Sequence, residues 1–597
     1  MIVSDYIFDF LQRKGVDTAF MVSGGQAMFL VDSLGRHPLI KTICTHHEQS
    51  AGMAADAYSR ITGKLGLALV TAGPGSVNVV NGLVGGWTDS APMMVISGQS
   101  ALACVNYQAK SGIRQYGIQG IYIQPFVEKA TKFFVTVDDP AKIQYYMEKA
   151  FYLAMNGRPG PVWIDVPLDV QRMEVPEKLL YPYHPEKNVA VPACAREKLL
   201  KTWELIKSAR RPLIIAGQGV RIAKADLELR NLIEKFNIPL VTTRLGIDLL
   251  ESDHPLYVGR PGNYGERSAN FAIQNADFIL AIGSRLSTAS VGHDSASFGK
   301  HAVKVVVDID PKELDKPGVS IDLKINGDAR EFLVSLLAIA DAGQMQNTAS
   351  WVSRCAGWKK DYPVVLPEYK DEKPVNSYYF TERLCEKTGS EDVVLVDTGS
   401  CFHVACQAWK VKKGQRFLTT GGLSSMGYWV AGLGACAANH YRRTLVITGD
   451  GSLQMNLQEL ATIKHYNLPI KVIIFNNNGY LLIRQTQRNF MDGRLFGEGP
   501  DSGVWCPDSL RIAEAYGIKG VRIDSVNDLD AKIDEVLAYD GPVVCDVMTP
   551  EWQLLIPRVS SEKLPDGKLI SRKYEDMFPY LPDSELRQNM IAERYPH

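Results

Sequence analysis

Two short stretches carry residue types able to hold a hard metal ion. Gly449-Asp450-Gly451-Ser452 is followed, 26 residues after Gly451, by Asn477 within Asn476-Asn477-Asn478-Gly479. A carboxylate, an amide oxygen and a nearby main-chain carbonyl are the hard oxygen donors that Mg²⁺ prefers, and Mg²⁺ commonly completes its octahedron from a diphosphate. Glycines let a backbone approach phosphate closely, and a helix starting there favours negative charge. Either stretch alone reads as a turn. A third candidate is Glu48, in His46-His47-Glu48-Gln49-Ser50-Ala51-Gly52-Met53-Ala54-Ala55. It opens a helical face of small residues, and by pattern alone it is a helix-capping or exposed acid.

The two metal-type stretches share one supersecondary unit. Residues 443–448 form a short apolar, β-branched run, and Ile470 to Phe475 form another. Between them Leu453, Leu457, Leu460 and Ile463 recur at helical spacing, which predicts strand, turn, helix and parallel strand. Asp450 and Asn477 then fall at the carboxyl ends of neighbouring strands, where open parallel sheets bind ligands. Asp397-Thr398-Gly399-Ser400-Cys401 follows the apolar run Val393 to Val396 and offers main-chain donors at another strand end.

Strand-like and helical runs alternate through three stretches, which predicts an α/β chain of three domains with parallel sheets flanked by helices. At 597 residues the chain is too long for one core. The first unit is expected over residues 1–180, and a Pro-containing linker around Pro182 to Pro192. The second spans 193–345, with candidate strands at Pro212 to Ala216, Phe278 to Ile282 and Val303 to Asp308. The third covers 370–550, and a tail over 551–597 is expected to wrap the surface or cover the site. The first and third units are candidates for a shared fold, which sequence alone does not show.

Composition narrows the partners. Net charge is −1 with no basic block, so neither nucleic acid nor an anionic membrane surface is expected. The N-terminus carries charges within an amphipathic helical pattern and lacks the apolar core of a signal peptide; a cytoplasmic protein is the expectation. The ten cysteines show no Cys-x-x-Cys pairing, which argues against a zinc site or a disulfide scaffold.

Gly-Asp-Gly followed by Asn-Asn at this interval resembles the metal–diphosphate motif of thiamine diphosphate enzymes. The block from Gly449 to Ala461 is similar to the acetohydroxyacid (acetolactate) synthase large subunits, and the likeness covers about residues 1–550. It implies a pyrimidine-binding domain, a central FAD or nucleotide-binding-like domain and a diphosphate domain. Asp450 and Asn477 become side-chain ligands of Mg²⁺, with the Gly479 carbonyl as a third. His-Glu-Gln-x-Ala resembles the block around the glutamate that activates the cofactor, where a carboxyl group meets N1′ of the aminopyrimidine and promotes loss of the C2 proton. That assigns Glu48. Gly24, Gly25, Gly399, Ser400, Cys401, Ser424, Met426, Gly451 and Ser452 are the implied cofactor bed, Met426 propping its bent conformation. Gln119 is the implied partner of a substrate oxygen. Gly259 to Gly265, Gly283-Ser284-Arg285, Asp308 and Gly327-Asp328 follow the family's FAD segments, with Arg285 toward the flavin diphosphate and Asp308 and Asp328 toward ribose or adenine. In the family the glutamate and the diphosphate site come from different subunits, so a homodimer or homotetramer with active sites between subunits is implied.

Three substrate-facing positions differ from the synthases. Ala289 stands where they have Arg, Leu168 where they have Lys, and Thr486 where many have Trp. Losing an Arg fork is not a mild change for carboxylate recognition. The expectation is a carboligase that decarboxylates a 2-ketoacid, pyruvate foremost, and transfers the two-carbon acyl-anion unit to a carbonyl acceptor, a keto-sugar nucleotide among the candidates. The alternatives are acetolactate formation from two pyruvates, simple decarboxylation or lyase activity, flavin-dependent pyruvate oxidation, and a non-catalytic homologue. Glu48, Asp450 and Asn477 together argue against the last.

Overall fold

The computed structural model describes residues 1–176, 181–185, 194–341, 345–563 and 569–592. Most of the linker expected around Pro182 to Pro192 lies outside the described residues. The apolar runs form parallel strands buried on both faces, which is why they read as continuous rather than alternating.

The first sheet comprises β1 (Thr18–Met21), β2 (Lys41–Cys44), β3 (Gly66–Val70), β4 (Met93–Gln99), β5 (Phe133–Thr136) and β6 (Val162–Pro167). The second comprises β7 (Pro212–Ala216), β8 (Leu240–Thr242), β9 (Tyr257–Gly259), β10 (Phe278–Ile282), β11 (Val303–Asp308) and β12 (Leu323–Asn326). The third comprises β13 (Val393–Val396), β14 (Arg416–Thr419), β15 (Thr444–Gly449), β16 (Ile470–Asn476), β17 (Lys519–Ile523) and β18 (Val543–Met548). Their orders are β2-β1-β3-β4-β6-β5, β12-β11-β10-β7-β8-β9 and β14-β13-β15-β16-β18-β17. Counted from each sheet's own first strand, the first and third sheets have the same order. The central sheet has the doubly wound order of nucleotide-binding folds, reversing between β7 and β10.

Small residues let the first and third units meet. The helix Glu48–Thr62 packs on the helix Gly432–Ala438. A Cβ on Gly434 would lie 1.8 Å from the Ala54 carbonyl oxygen, so only glycine permits this approach. On its other side, a Cβ at Gly82 would lie 2.6 Å from the Gly52 carbonyl carbon. The alanine-rich face after Glu48 is therefore a packing face between two helices. A buried ionic knot closes the same joint. The Arg60 guanidinium approaches Asp56 at 3.4 Å and Asp89 at 3.5 Å, and donates to the Thr419 carbonyl at 2.9 Å. The Tyr428 hydroxyl bonds the Asp56 carboxylate.

Two expectations are modified. The helix expected across Leu453 to Ile463 is two pieces, Asp450–Leu453 and Glu459–His465, separated at Asn456, whose φ is +67°. The tail wraps the central unit: Tyr574, Met577 and Met590 are buried, and Asn270 Nδ2 donates to the Tyr574 carbonyl at 3.0 Å. Arg267 donates to the carbonyls of Met577 at 3.2 Å and Pro579 at 2.7 Å. No helix among the described residues is long and apolar enough to cross a membrane.

Candidate active site

Asp450 begins the short helix after β15, and Asn477 follows β16, the strand beside it. Oδ2 of Asp450 accepts the Gly479 main-chain N–H at 2.8 Å, which binds the two loops together. Asp450 Oδ1 and Asn477 Oδ1 are both buried without a hydrogen-bond partner. Burial pushes the Asp450 carboxyl up to about 6, although main-chain N–H groups of Gly479 and Gly451 favour its charged form. Two orphaned hard oxygens on neighbouring strand ends suit a divalent cation, which would satisfy both and restore the charge. Among the described residues no cluster of three His, Cys, Asp or Glu forms a metal site, so this pair of strand ends is the candidate.

Neighbouring groups fix the loop from Asn477 to Gly479. The buried Arg484 pairs with Glu498 and donates to the carbonyls of Asn477 at 3.2 Å and Asn478 at 3.1 Å. Gly479 has φ +134°, and a Cβ there would lie 2.0 Å from the Glu498 carbonyl oxygen. At Gly451 a Cβ would lie 2.1 Å from the Tyr480 ring. Both glycines are fixed by close approach rather than by a loose turn.

The residues expected to bed a diphosphate adjoin them. Gly399, with φ +96°, precedes the helix Ser400–Ala408, and Ser400 Oγ receives Asn477 Nδ2 at 3.4 Å. Asp397 organises this corner from full burial. It accepts from Thr398 N at 2.8 Å, Tyr428 N at 3.1 Å, Thr448 Oγ1 at 2.8 Å and Ser452 Oγ at 2.5 Å, and burial pushes it up to about 6. The Ser452 hydroxyl is thereby engaged, and it also receives Gly427 N at 2.8 Å. Cys401 turns its side chain into the core and donates to the Thr398 carbonyl at 3.1 Å, which leaves only its backbone for a cofactor. Ser424 is exposed at φ +55° and Met426 is half-buried. Asp89, reaching over from the first unit, accepts the N–H groups of Gly421 at 2.9 Å and Gly422 at 2.7 Å and so holds their loop.

Glu48 is the first residue of its helix, with His47 as the N-cap accepting Gln49 N at 3.1 Å. It is 9% exposed, and Oε2 accepts Asn78 Nδ2 at 3.0 Å. Glu459 of the third unit holds the approach, Oε1 accepting the N–H groups of His46 and His47, each at 3.0 Å. Around Glu48 the expected residues converge. A Cβ on Gly75 would lie 3.3 Å from Glu48 Oε1, one on Gly73 would lie 2.5 Å from the Gln119 carbonyl oxygen, and one on Gly24 would lie 2.5 Å from Thr71. Gly25 begins the adjoining short helix, and Gln119 is exposed with φ +58°. The structure thus gathers Gly24, Gly25, Glu48 and Gln119 at the first sheet, and Gly399, Ser400, Gly451, Ser452, Asp450, Asn477 and Gly479 at the third.

The central unit carries a cavity of about 370 Å³ where its strand order reverses. Gly219, Gly283, Arg285, Asp308, Gly327 and Asp328 line it, which gathers three of the four segments expected for FAD and suits a nucleotide, while Gly259 to Gly265 lies outside its lining. Their side chains already have work: Arg285 donates to the Thr88 carbonyl at 2.7 Å, and Asp328 Oδ1 caps a helix from Arg330 N at 2.9 Å. Burial raises the Asp308 carboxyl above its usual range.

Asp89, Asp397, Glu459 and Arg484 are positioning residues that the sequence reading did not assign. Asp397 had one local signal, an acid ending a buried apolar strand just before Thr-Gly.

Residues 1–124 match "Thiamine pyrophosphate enzyme, N-terminal TPP binding domain", residues 199–336 the central domain of that family, and residues 397–547 its C-terminal TPP binding domain. The chain is 33% identical over 563 residues to a "Probable acetolactate synthase large subunit" of Methanocaldococcus jannaschii, covering 91% of each chain. It is 32% identical over 573 residues to the acetolactate synthase large subunit of Cyanidium caldarium, covering 93% of this chain and 94% of that one. With the acetolactate synthase isozyme 1 large subunit of Escherichia coli it shares 30% over 560 residues, covering 93% and 95%.

Proposed function

The chain belongs to the thiamine pyrophosphate enzymes, as a carboligase of the acetolactate synthase type, and from that premise we propose that it decarboxylates pyruvate and joins the two-carbon unit to a carbonyl acceptor. The observation that carries the reading is the pairing of Glu48 at the first sheet with the orphaned oxygens of Asp450 and Asn477 at the third. When bound, thiamine diphosphate supplies the carbon nucleophile and electron sink of the reaction. Glu48 holds and moves a proton at the pyrimidine nitrogen. Asp450, Asn477 and the Gly479 carbonyl would hold Mg²⁺, while Gly399 and Ser400 would offer main-chain donors to a diphosphate. Met426 would support the cofactor, and Gln119 would meet a substrate oxygen. The central cavity would take FAD, with Arg285, Asp308 and Asp328 as the residues to hold it.

The resemblance further implies sites completed by a second subunit, in a homodimer or homotetramer. The relatives favour a second pyruvate as acceptor, giving acetolactate. A keto-sugar nucleotide rests only on the smaller side chains at Ala289, Leu168 and Thr486, and the relatives lend it no support.

The test is incubation with thiamine diphosphate, Mg²⁺, FAD and pyruvate, following CO₂ and products by mass spectrometry, with and without aldehydes, ketones and keto-sugar nucleotides. Acetolactate without an added acceptor establishes the synthase. Turnover that needs another acceptor establishes the broader carboligase. No CO₂ under any condition contradicts pyruvate as donor.

A further inference from the structure

The two carboxylate oxygens of Glu48 have different surroundings. Oε2 accepts the Asn78 side-chain N–H at 3.0 Å. Among the described residues no side chain or main chain donates to Oε1. Beside it stands Gly75, where a Cβ would come within 3.3 Å of Oε1, so the absent side chain keeps that oxygen uncrowded. An amide N–H only donates, so Oε2 is kept as an acceptor and a proton on this carboxyl resides at Oε1.

The backbone fixes that asymmetry. Asn78 is the last residue of the short helix Pro74–Asn78, reached from β3 through Thr71, Ala72 and Gly73. Gly73 takes φ +62° to turn the chain into the helix, and Ser76 Oγ donates to the Thr71 carbonyl at 3.0 Å across the turn. Just beyond Asn78 the chain presses on the helix that Glu48 begins. A Cβ on Gly52 would lie 3.0 Å from Val79 Cγ2, and one on Gly82 would lie 2.7 Å from the Met53 main-chain nitrogen. Amide and carboxylate therefore ride on two segments held together by close backbone packing.

We propose that Asn78 positions Glu48 by reserving Oε2, so that the transferable proton is presented from Oε1. When that proton passes to a bound aromatic nitrogen, the Oε1–H bond breaks and an N–H bond forms. The charge left on the carboxylate is met at Oε2 by the Asn78 donor. A hydrogen bond to an ionised acceptor is the stronger kind, so this contact tightens as the proton leaves. The inference rests on Glu48 as the proton partner of the pyrimidine and adds the residue that orients it.

The test uses full-length protein with Mg²⁺ and needs no turnover. Calorimetry gives Kd for thiamine diphosphate and for an analogue with C–H in place of N1′. Their ratio measures what Glu48 contributes at that nitrogen. Asn78→Leu keeps the side chain's size and Asn78→Ala removes it; both lose the donor. Either variant should shrink the preference for thiamine diphosphate by about tenfold, and slow hydrogen–deuterium exchange at its C2 by a similar factor. The double variant Glu48→Ala with Asn78→Leu should show the same ratio as Glu48→Ala alone, because the amide acts only through the carboxylate. A purely structural role would weaken both ligands equally, and that result, or a wild-type ratio in both Asn78 variants, overturns the inference. A ratio left unchanged by Glu48→Ala itself overturns the reading of Glu48, and this inference falls with it.

Discussion

The first and third sheets share a strand order yet differ at every loop that carries chemistry. After the first strand of each, Val22-Ser23-Gly24 in one corresponds to Asp397-Thr398-Gly399 in the other. After the third strand, Thr71-Ala72-Gly73 corresponds to Asp450-Gly451, and after the fourth, Ser100 corresponds to Asn477. One edge keeps a carboxyl beside an amide, poised for proton exchange with a bound base. Its counterpart keeps two unpaired oxygens, poised for a cation. Fold does not set function; side chains grafted at strand ends do.

Breaking the metal edge should have the largest effect. Asp450→Ala should abolish Mg²⁺-dependent cofactor binding, read by calorimetry, and lower kcat/KM by about a thousandfold. Retained binding of the cofactor with Mg²⁺ would separate Asp450 from the metal. Next comes the clamp: Arg484→Lys keeps the charge but loses the fork that holds two carbonyls of the metal loop. The Mg²⁺ concentration at half activity should rise by about 10- to 100-fold. Gly479→Ala adds a Cβ into the Glu498 carbonyl at a φ that L-residues rarely adopt. That strain costs about 1–3 kcal/mol before the clash is counted, and should appear as a lower Tm and weaker Mg²⁺ binding.

The smallest effect sharpens the contrast from the first sheet. Asp165 on β6 is fully buried against Ser97 Oγ at 2.6 Å, and burial pushes its carboxyl up to about 7. Because the folded protein binds this proton more tightly than the unfolded chain, its contribution to stability is complete below about pH 4 and is lost as pH rises through 7. Asp165→Asn should flatten the decline in Tm between pH 5 and 8. Parallel Tm curves for variant and wild type would rule this out.

The placement of Asp450 and Asn477 at neighbouring strand ends was legible in the sequence because their spacing equals one strand–helix–strand unit, and buried parallel strands such as Val393–Val396 announce themselves as unbroken apolar runs. The break around Asn456 was not legible, since leucine spacing continued across it while the chain passes through a left-handed residue between the two helical pieces. Asp89, Glu459 and Arg484 were hidden for another reason. Asp89 and Glu459 act on loops hundreds of residues away, and Arg484 on carbonyls, so no local pattern records their partners. The identical order of the outer sheets was equally invisible, because topology is set by pairing and not by residue identity.

The central claim is that Glu48 drives proton loss from a cofactor anchored by the opposite sheet. The most direct measurement is the rate of hydrogen–deuterium exchange at C2 of bound thiamine diphosphate, by quenched-flow NMR, in wild type and Glu48→Gln. The account predicts retained cofactor and exchange slowed by about a hundredfold or more. Exchange at the wild-type rate in Glu48→Gln would contradict it.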